Sequence, residues 1–150
     1  MNNLDSFDDY IKQIFHDSSQ LINNSKNLQS EIKTCIGLII ESLKNDKKIV
    51  LFGNGGSAAD AQHIAAEFVG RFSLERKSYP AIALTTDSSI ITSISNDYSF
   101  EQIFSRQCES IVSKDDIVVG ISTSGNSLNL KNGLITSKKN GRIIGKKHLK

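Results

Sequence analysis

Residues 49–72 read IVLFGNGGSAADAQHIAAEFVGRF, and the reading of this stretch decides the fold. Ile49-Val50-Leu51-Phe52 is a short apolar run, β-branched at its start and bounded by glycine, which is the pattern of a buried strand. Gly53-Asn54-Gly55-Gly56-Ser57 follows. Residues without a Cβ let a backbone turn sharply and approach a ligand closely. From Ala58 the composition turns to helix formers, and Ile64, Phe68 and Phe72 recur at helical spacing. A strand, a glycine turn and a helix start make an anion-binding corner, because the first-turn N–H groups lack partners within the helix. On that helix His63 and Glu67 are four residues apart and share a face, and Arg71 lies one further turn along it.

Working outward, two helical segments precede this stretch. Asp5-Ser6 offers a cap, and Phe7, Tyr10, Ile11, Ile14, Phe15, Ser18, Leu21 and Ile22 form a stripe at three- and four-residue spacing. Asn23-Asn24-Ser25 interrupts it. A second helix carries Leu28, Ile32, Ile36, Ile39, Ile40 and Leu43 and ends near Asn45-Asp46. Residues 1–47 therefore read as a helical appendage, and 48–150 as the sheet-bearing part of what is one structural domain overall. Downstream, a polar loop over Ser73–Ser78 leads to Pro80 and a second short apolar strand beginning at Ala81. Thr85-Thr86-Asp87-Ser88 can cap a short helix with Ile90, Ile91 and Ile94, which Asn96-Asp97 closes. Phe100 to Val112 reads as another helix, with Ile103, Phe104 and Ile111 inward. Ile117–Ile121 is the third strand and Arg142–Gly145 the fourth, separated by a helix over Leu128–Lys139 that Gly133 weakens. Strands are expected near 48–53, 81–85, 116–122 and 142–145. Strands alternating with helices imply an α/β fold: a parallel sheet covered on both faces, with ligands beyond the carboxyl ends of the strands.

Composition narrows the function. The 150 residues carry 18 basic and 16 acidic side chains, a net charge of +2, which leaves no footprint for nucleic acid or a membrane surface. The two cysteines, Cys35 and Cys108, stand far apart without metal-like spacing, as in proteins of a reducing compartment. No stretch reaches the length of a membrane span, and MNNLDSFDDY is unlike a signal peptide. The expectation is a cytoplasmic protein. His16 and His148 read as surface residues.

Two stretches carry candidate chemistry. Ser122-Thr123-Ser124-Gly125-Asn126-Ser127 sets four hydroxyls, an amide and a glycine between a strand and a helix. Hydroxyls and free backbone N–H groups can surround a phosphate without a basic residue, but the same residues also make an ordinary capped turn. Neither glycine loop has the spacing of a P-loop or of a dinucleotide fingerprint. His63 and Glu67 can be metal ligands, a carboxylate base with a neighbour, or a plain surface pair; their distance from the glycine corner, one or two helical turns, favours function. Arg71 can attract an anion or pair with Glu67.

The stretches GNGGSAADAQHIAAEF (53–68), GRF (70–72), PAIALTTD (80–87), NDYSFEQIFSRQ (96–107) and GISTSGNS (120–127) resemble, in order and separation, the sugar isomerase (SIS) family and its phosphoheptose isomerase branch. The resemblance implies a three-layer α/β/α, flavodoxin-like parallel sheet and the interconversion of sedoheptulose 7-phosphate with D-glycero-D-manno-heptose 7-phosphate, the entry to lipopolysaccharide heptose. It implies a cytoplasmic homotetramer with sites at subunit interfaces. By resemblance Asn54, Gly55, Gly56, Glu67, Asn96 and Asp97 contact substrate, and Ser122, Thr123, Ser124 and Ser127, with Ser57, hold the phosphate. His63 and Glu67 ligate zinc in members that bind it, and Glu67 is the base that moves a proton between C1 and C2 through an enediol. Family members continue beyond the fourth strand with a glycine-rich loop, a strand and a long helix bearing a glutamine and a histidine that complete the zinc site and supply the second acid/base. Here KKHLK stands in that place, so the expectation for the 150-residue sequence alone is slow or absent turnover. A second reading keeps the family without the catalysis, as a sugar-phosphate sensor or a scaffold like the member that associates with the bacterial replication initiator. A third is a gene remnant. Glu67 separates the first two, since a pure binder needs no base there.

Overall fold

The computed structural model describes residues 3–144, with side chains from residue 7 onward. The elements are α1 (Asn3–Asn24), a 3-10 turn (Ser25–Leu28), α2 (Gln29–Lys44), β1 (Ile49–Gly53), α3 (Gly56–Val69), β2 (Ala81–Ala83), α4 (Ser88–Asp97), a second 3-10 turn (Phe100–Gln102), α5 (Ile103–Ile111), β3 (Ile117–Ile121), α6 (Leu128–Ser137) and β4 (Arg142–Ile144). Contacts divide the chain into two units, one ending at Gly37 and the other beginning at Leu38. The first is helical. On α1, Tyr10, Phe15, Leu21 and Ile22 are all exposed, as are Leu28, Ile32 and Ile36 after it.

The second unit holds the sheet. All of its strand pairs are parallel, in the order β2-β1-β3-β4, which is the flavodoxin-like order as far as it extends. β1 is central, and all five of its residues are buried, as a strand covered on both faces must be. Because successive side chains point to opposite faces, β1 feeds two cores. Val50 and Phe52 join Val118 of β3 and Ile103, Phe104 and Cys108 of α5 and Leu130 of α6 on one face. Ile49 and Leu51 join Ile117 of β3 and Ala61 and Ala65 of α3 on the other, with Leu38, Ile39 and Leu43 of α2 packed against them. Three layers result, α/β/α. The Phe52 and Phe104 rings stack with centroids 4.8 Å apart. Burial pushes the Cys108 thiol pKa up, opposed by a hydrogen bond with Ser137.

Two details depart from the sequence reading. On α3 the residues turned to the sheet are Ser57, Ala61 and Ala65, whereas Ile64 is exposed and Phe72, at 81% exposure, lies beyond the helix end. Small side chains let α3 lie close to β1; of the bulky apolar series, Phe68 packs against this core, partly buried. Gly133, expected to weaken α6, is a packing requirement instead: a Cβ there would sit 3.0 Å from both Phe104 Cβ and Phe52 Cζ. Boundaries shift slightly. α3 starts at Gly56, β2 ends at Ala83, the 100–112 helix begins as a 3-10 turn, and α6 stops at Ser137. Gly145 and the KKHLK ending, with His148, lie outside the described residues.

At the amino edge of the sheet Asp116 is 2% exposed and accepts from the Lys48 and Ser113 backbone N–H groups at 3.1 and 2.7 Å and from Lys48 Nζ at 2.5 Å. Beside it Arg142 reaches Glu41 at 2.9 Å and Asp115 at 3.3 Å; the Glu41 hydrogen bond leads in raising the guanidinium pKa further. Arg142, Glu41 and Asp115 line an open 400 Å³ hollow with Ser42, Asn45 and Lys47. It lies at the end of the strands opposite the loops that carry the candidate chemistry.

Candidate active site

Gly53 of β1 and Ile121 of β3 are register partners, so Asn54 and Ser122 leave neighbouring parallel strands at the same level. From β1 the chain crosses to β2 on one side, then returns to β3 on the other. The loops after β1 and β3 therefore diverge, and the crevice between them is where ligands bind in open α/β sheets.

The glycine corner is built by close approach. A Cβ on Gly53 would meet the Ser57 carbonyl oxygen at 2.6 Å and Ser57 Cβ at 2.7 Å. Gly55 has φ 54° and ψ −122°, a left-handed backbone that other residues adopt only with strain. The Ser57 N–H donates to the Asn54 carbonyl at 3.0 Å and starts α3, yet no side chain caps that helix. Ser127, the residue ahead of α6, likewise makes no side-chain capping bond.

Between β3 and α6 the hydroxyls fold back on the loop. Gly125 N–H donates to Ser122 Oγ at 3.0 Å and Asn126 N–H to Ser124 Oγ at 3.3 Å. Each oxygen is thus an acceptor toward the backbone, and its own O–H remains available to donate. Residues 122–126 are exposed and Ser127 is half-buried.

The two loops are joined by a reciprocal amide pair. Asn54 Nδ2 donates to Asn129 Oδ1 at 3.0 Å, and Asn129 Nδ2 donates to Asn54 Oδ1 at 2.9 Å. Asn129 escaped the sequence reading. Its signal was a single amide between Leu128 and Leu130 in the first turn of a helix.

On α3, His63 Nε2 lies 3.8 Å from Glu67 Oε1; the histidine side chain is 75% exposed and the carboxylate 34%. Arg76, also missed, holds this end of the helix. Its guanidinium donates to the Glu67 and Phe68 carbonyls at 2.6 and 2.9 Å and sits 4.6 Å from the centre of the Tyr79 ring. Arg71, read as a neighbour of Glu67 on one face, lies past the helix end at Val69 and pairs with Glu75 at 3.5 Å. Asn96 and Asp97 engage each other, Nδ2 to Oδ1 at 2.9 Å, at the exposed end of α4. The structure thus brings Asn54, Gly55, Gly56 and Ser57 together with Ser122–Ser127, places His63 and Glu67 further along α3, and leaves Asn96 and Asp97 paired with each other.

The fold is a parallel α/β sheet whose polar loops flank the β1/β3 switch point. The chain belongs to the SIS domain family, whose sequence pattern matches residues 10–144. Similar proteins carry the name phosphoheptose isomerase. The one from Geotalea uraniireducens is 56% identical over 119 residues, covering 79% of this chain and 63% of the relative. That of Aquifex aeolicus is 53% identical over 125 residues, with 83% and 65% covered. The chain thus spans a little under two thirds of the length of these curated relatives. The solved phosphoheptose isomerase of Neisseria gonorrhoeae superposes with a TM-score of 0.84 at 37% identity, over 91% of this chain and 72% of that one. No helix among the described residues is long and apolar enough to cross a membrane.

Proposed function

We propose that this chain carries the sugar-phosphate site of an aldose–ketose isomerase that interconverts sedoheptulose 7-phosphate and D-glycero-D-manno-heptose 7-phosphate in a cytoplasmic route to lipopolysaccharide heptose, acting as a homotetramer. The observation that carries the reading is the pairing of the glycine corner with the hydroxyl loop on register-matched strands, in a chain so similar to phosphoheptose isomerases. In this reading Ser122, Thr123, Ser124 and Ser127, with Ser57, hold the phosphate. Asn54, Gly55 and Gly56 receive the sugar, with Asn96 and Asp97 as further contacts.

Glu67 is the base. Isomerisation takes a proton from one of C1 and C2 and returns it to the other, while a second proton moves between the two oxygens. A carboxylate can accept the carbon-bound proton as a general base. Arg76 fixes the backbone at Glu67 and so limits where its side chain can reach. His63 and Glu67 are the pair this chain offers to zinc. A catalytic zinc takes three protein ligands, and among the described residues no group of three or more His, Cys, Asp or Glu side chains gathers. These two residues alone therefore do not make a zinc site.

Calorimetry tests the anchor. Sedoheptulose 7-phosphate is expected to bind and the unphosphorylated sugar to bind far more weakly. Ser124→Ala removes a hydrogen bond to a charged group, about 1.5–3 kcal/mol or roughly tenfold or more in affinity. Equal affinity for the two sugars would overturn the assignment of the hydroxyl loop.

A further inference from the structure

We infer that Asn129 is a positioning residue, which clasps the glycine corner to the hydroxyl loop so that one ligand can engage both; this rests on the sugar-phosphate reading of the site. Asn129 is 4% exposed and cannot itself present much surface to a ligand. Its side-chain oxygen accepts twice, from Asn54 Nδ2 at 3.0 Å and from the Leu130 N–H at 2.9 Å, while its amide donates back to Asn54 Oδ1 at 2.9 Å. Asn54 in turn is tied through its carbonyl to the Ser57 N–H, where α3 begins. The pair therefore connects the first turn of α6 to the first turn of α3 across the switch point.

The connection matters because the β1–β3 ladder that spaces the two loops ends at Gly53 and Ile121, and beyond it the amide pair is the tie between them. The glycine corner takes its shape from Gly53 and Ser57, and the hydroxyl loop from its own Ser122 and Ser124 bonds. Each can stay folded while its distance from the other drifts. A ligand held by one loop does not feel that drift. A ligand bridging both, with phosphate on one and sugar on the other, must restore the separation each time it binds. A two-bond, part-buried amide pair is directional and suppresses the drift before binding, which is preorganisation.

This separates positioning from mere folding. Inorganic phosphate probes the hydroxyl loop with Ser57 as its single contact on the glycine corner, and sedoheptulose 7-phosphate also engages Asn54, Gly55 and Gly56. Asn129→Ala and Asn129→Ser both remove the bonds to Asn54; the serine hydroxyl is too short to reach across but can stay near the Leu130 N–H, which protects the fold if alanine does not. Calorimetry on the full chain is expected to show the sugar phosphate weakened by roughly tenfold, as for two ordinary hydrogen bonds, with inorganic phosphate weakened clearly less. Equal weakening of the two ligands, or no weakening of either, would overturn the clasp while leaving the site reading intact. Wild-type protein that binds neither ligand would overturn the site reading, and the clasp with it.

Discussion

A single atom decides the glycine corner. Gly53 ends β1 with its Cα facing the Ser57 backbone, and an added Cβ would lie 2.6 Å from that carbonyl oxygen and 2.7 Å from Ser57 Cβ. Neither is the far end of a flexible side chain. Gly53→Ala must push the start of α3 off the sheet, an overpacking strain of about 1–3 kcal/mol or more, and displace Asn54 and Ser57 together. The expected outcome is a lowered melting temperature with loss of sugar-phosphate binding; wild-type stability and affinity would show that the corner relaxes freely. Residue identity made this corner legible, because glycine spacing reports directly on backbone shape. Asn129 was not legible for the opposite reason. An asparagine in a first helical turn looks like one more polar capping residue, and only the fold reveals a partner 75 residues away. Arg76 was hidden similarly, within a polar loop whose charges read as solvated.

At the scale of elements, period and punctuation carried the sheet. Each of the four strands lies within a range marked by a short apolar run between turn residues, and their parallel pairing follows from the helices between them. What periodicity could not show was which face of α3 is buried, since alanine contributes little to an apolar pattern yet permits the closest packing. It also could not show the latch at the opposite edge. Asp116 looked like half of a turn, Asp115-Asp116, but it is 2% exposed and receives two backbone N–H groups and the Lys48 ammonium. It joins the entrance of β1 to the turn ahead of β3. Asp116→Ala leaves those donors without an acceptor. Lys48 is 30% exposed and can rehydrate, so the backbone groups dominate the loss, about 2–4 kcal/mol. Urea denaturation should show a lower midpoint with an unchanged slope. A shift below a few tenths of a kcal/mol would mean that water replaces the carboxylate, and that the latch does not hold the β1 entrance.

For the whole molecule the question is what the helical unit is for. Phe15 and Ile22 are 72% and 71% exposed, and Tyr10, Ile14 and Leu21 on the same helix are exposed too. Isolated apolar side chains at a surface mean little, but a stripe repeating every three or four residues along a helix is the pattern of a face that packs against something. The proposed oligomer supplies one: a second copy would bring an identical stripe, as symmetric assemblies do. Burying a large apolar side chain contributes about 1.5–3 kcal/mol, and a carboxylate in its place would be desolvated for no return. Phe15→Glu or Ile22→Glu should therefore weaken assembly by roughly fiftyfold or more per site. The sheet of the second unit has its own two cores, so its melting should change little. Sedimentation velocity at micromolar concentration is the measurement. The wild-type chain should sediment as an oligomer and each glutamate variant should move toward monomer. A wild-type chain that sediments as a monomer across the concentration range, or variants that assemble unchanged, would show that this face does not join copies of the chain.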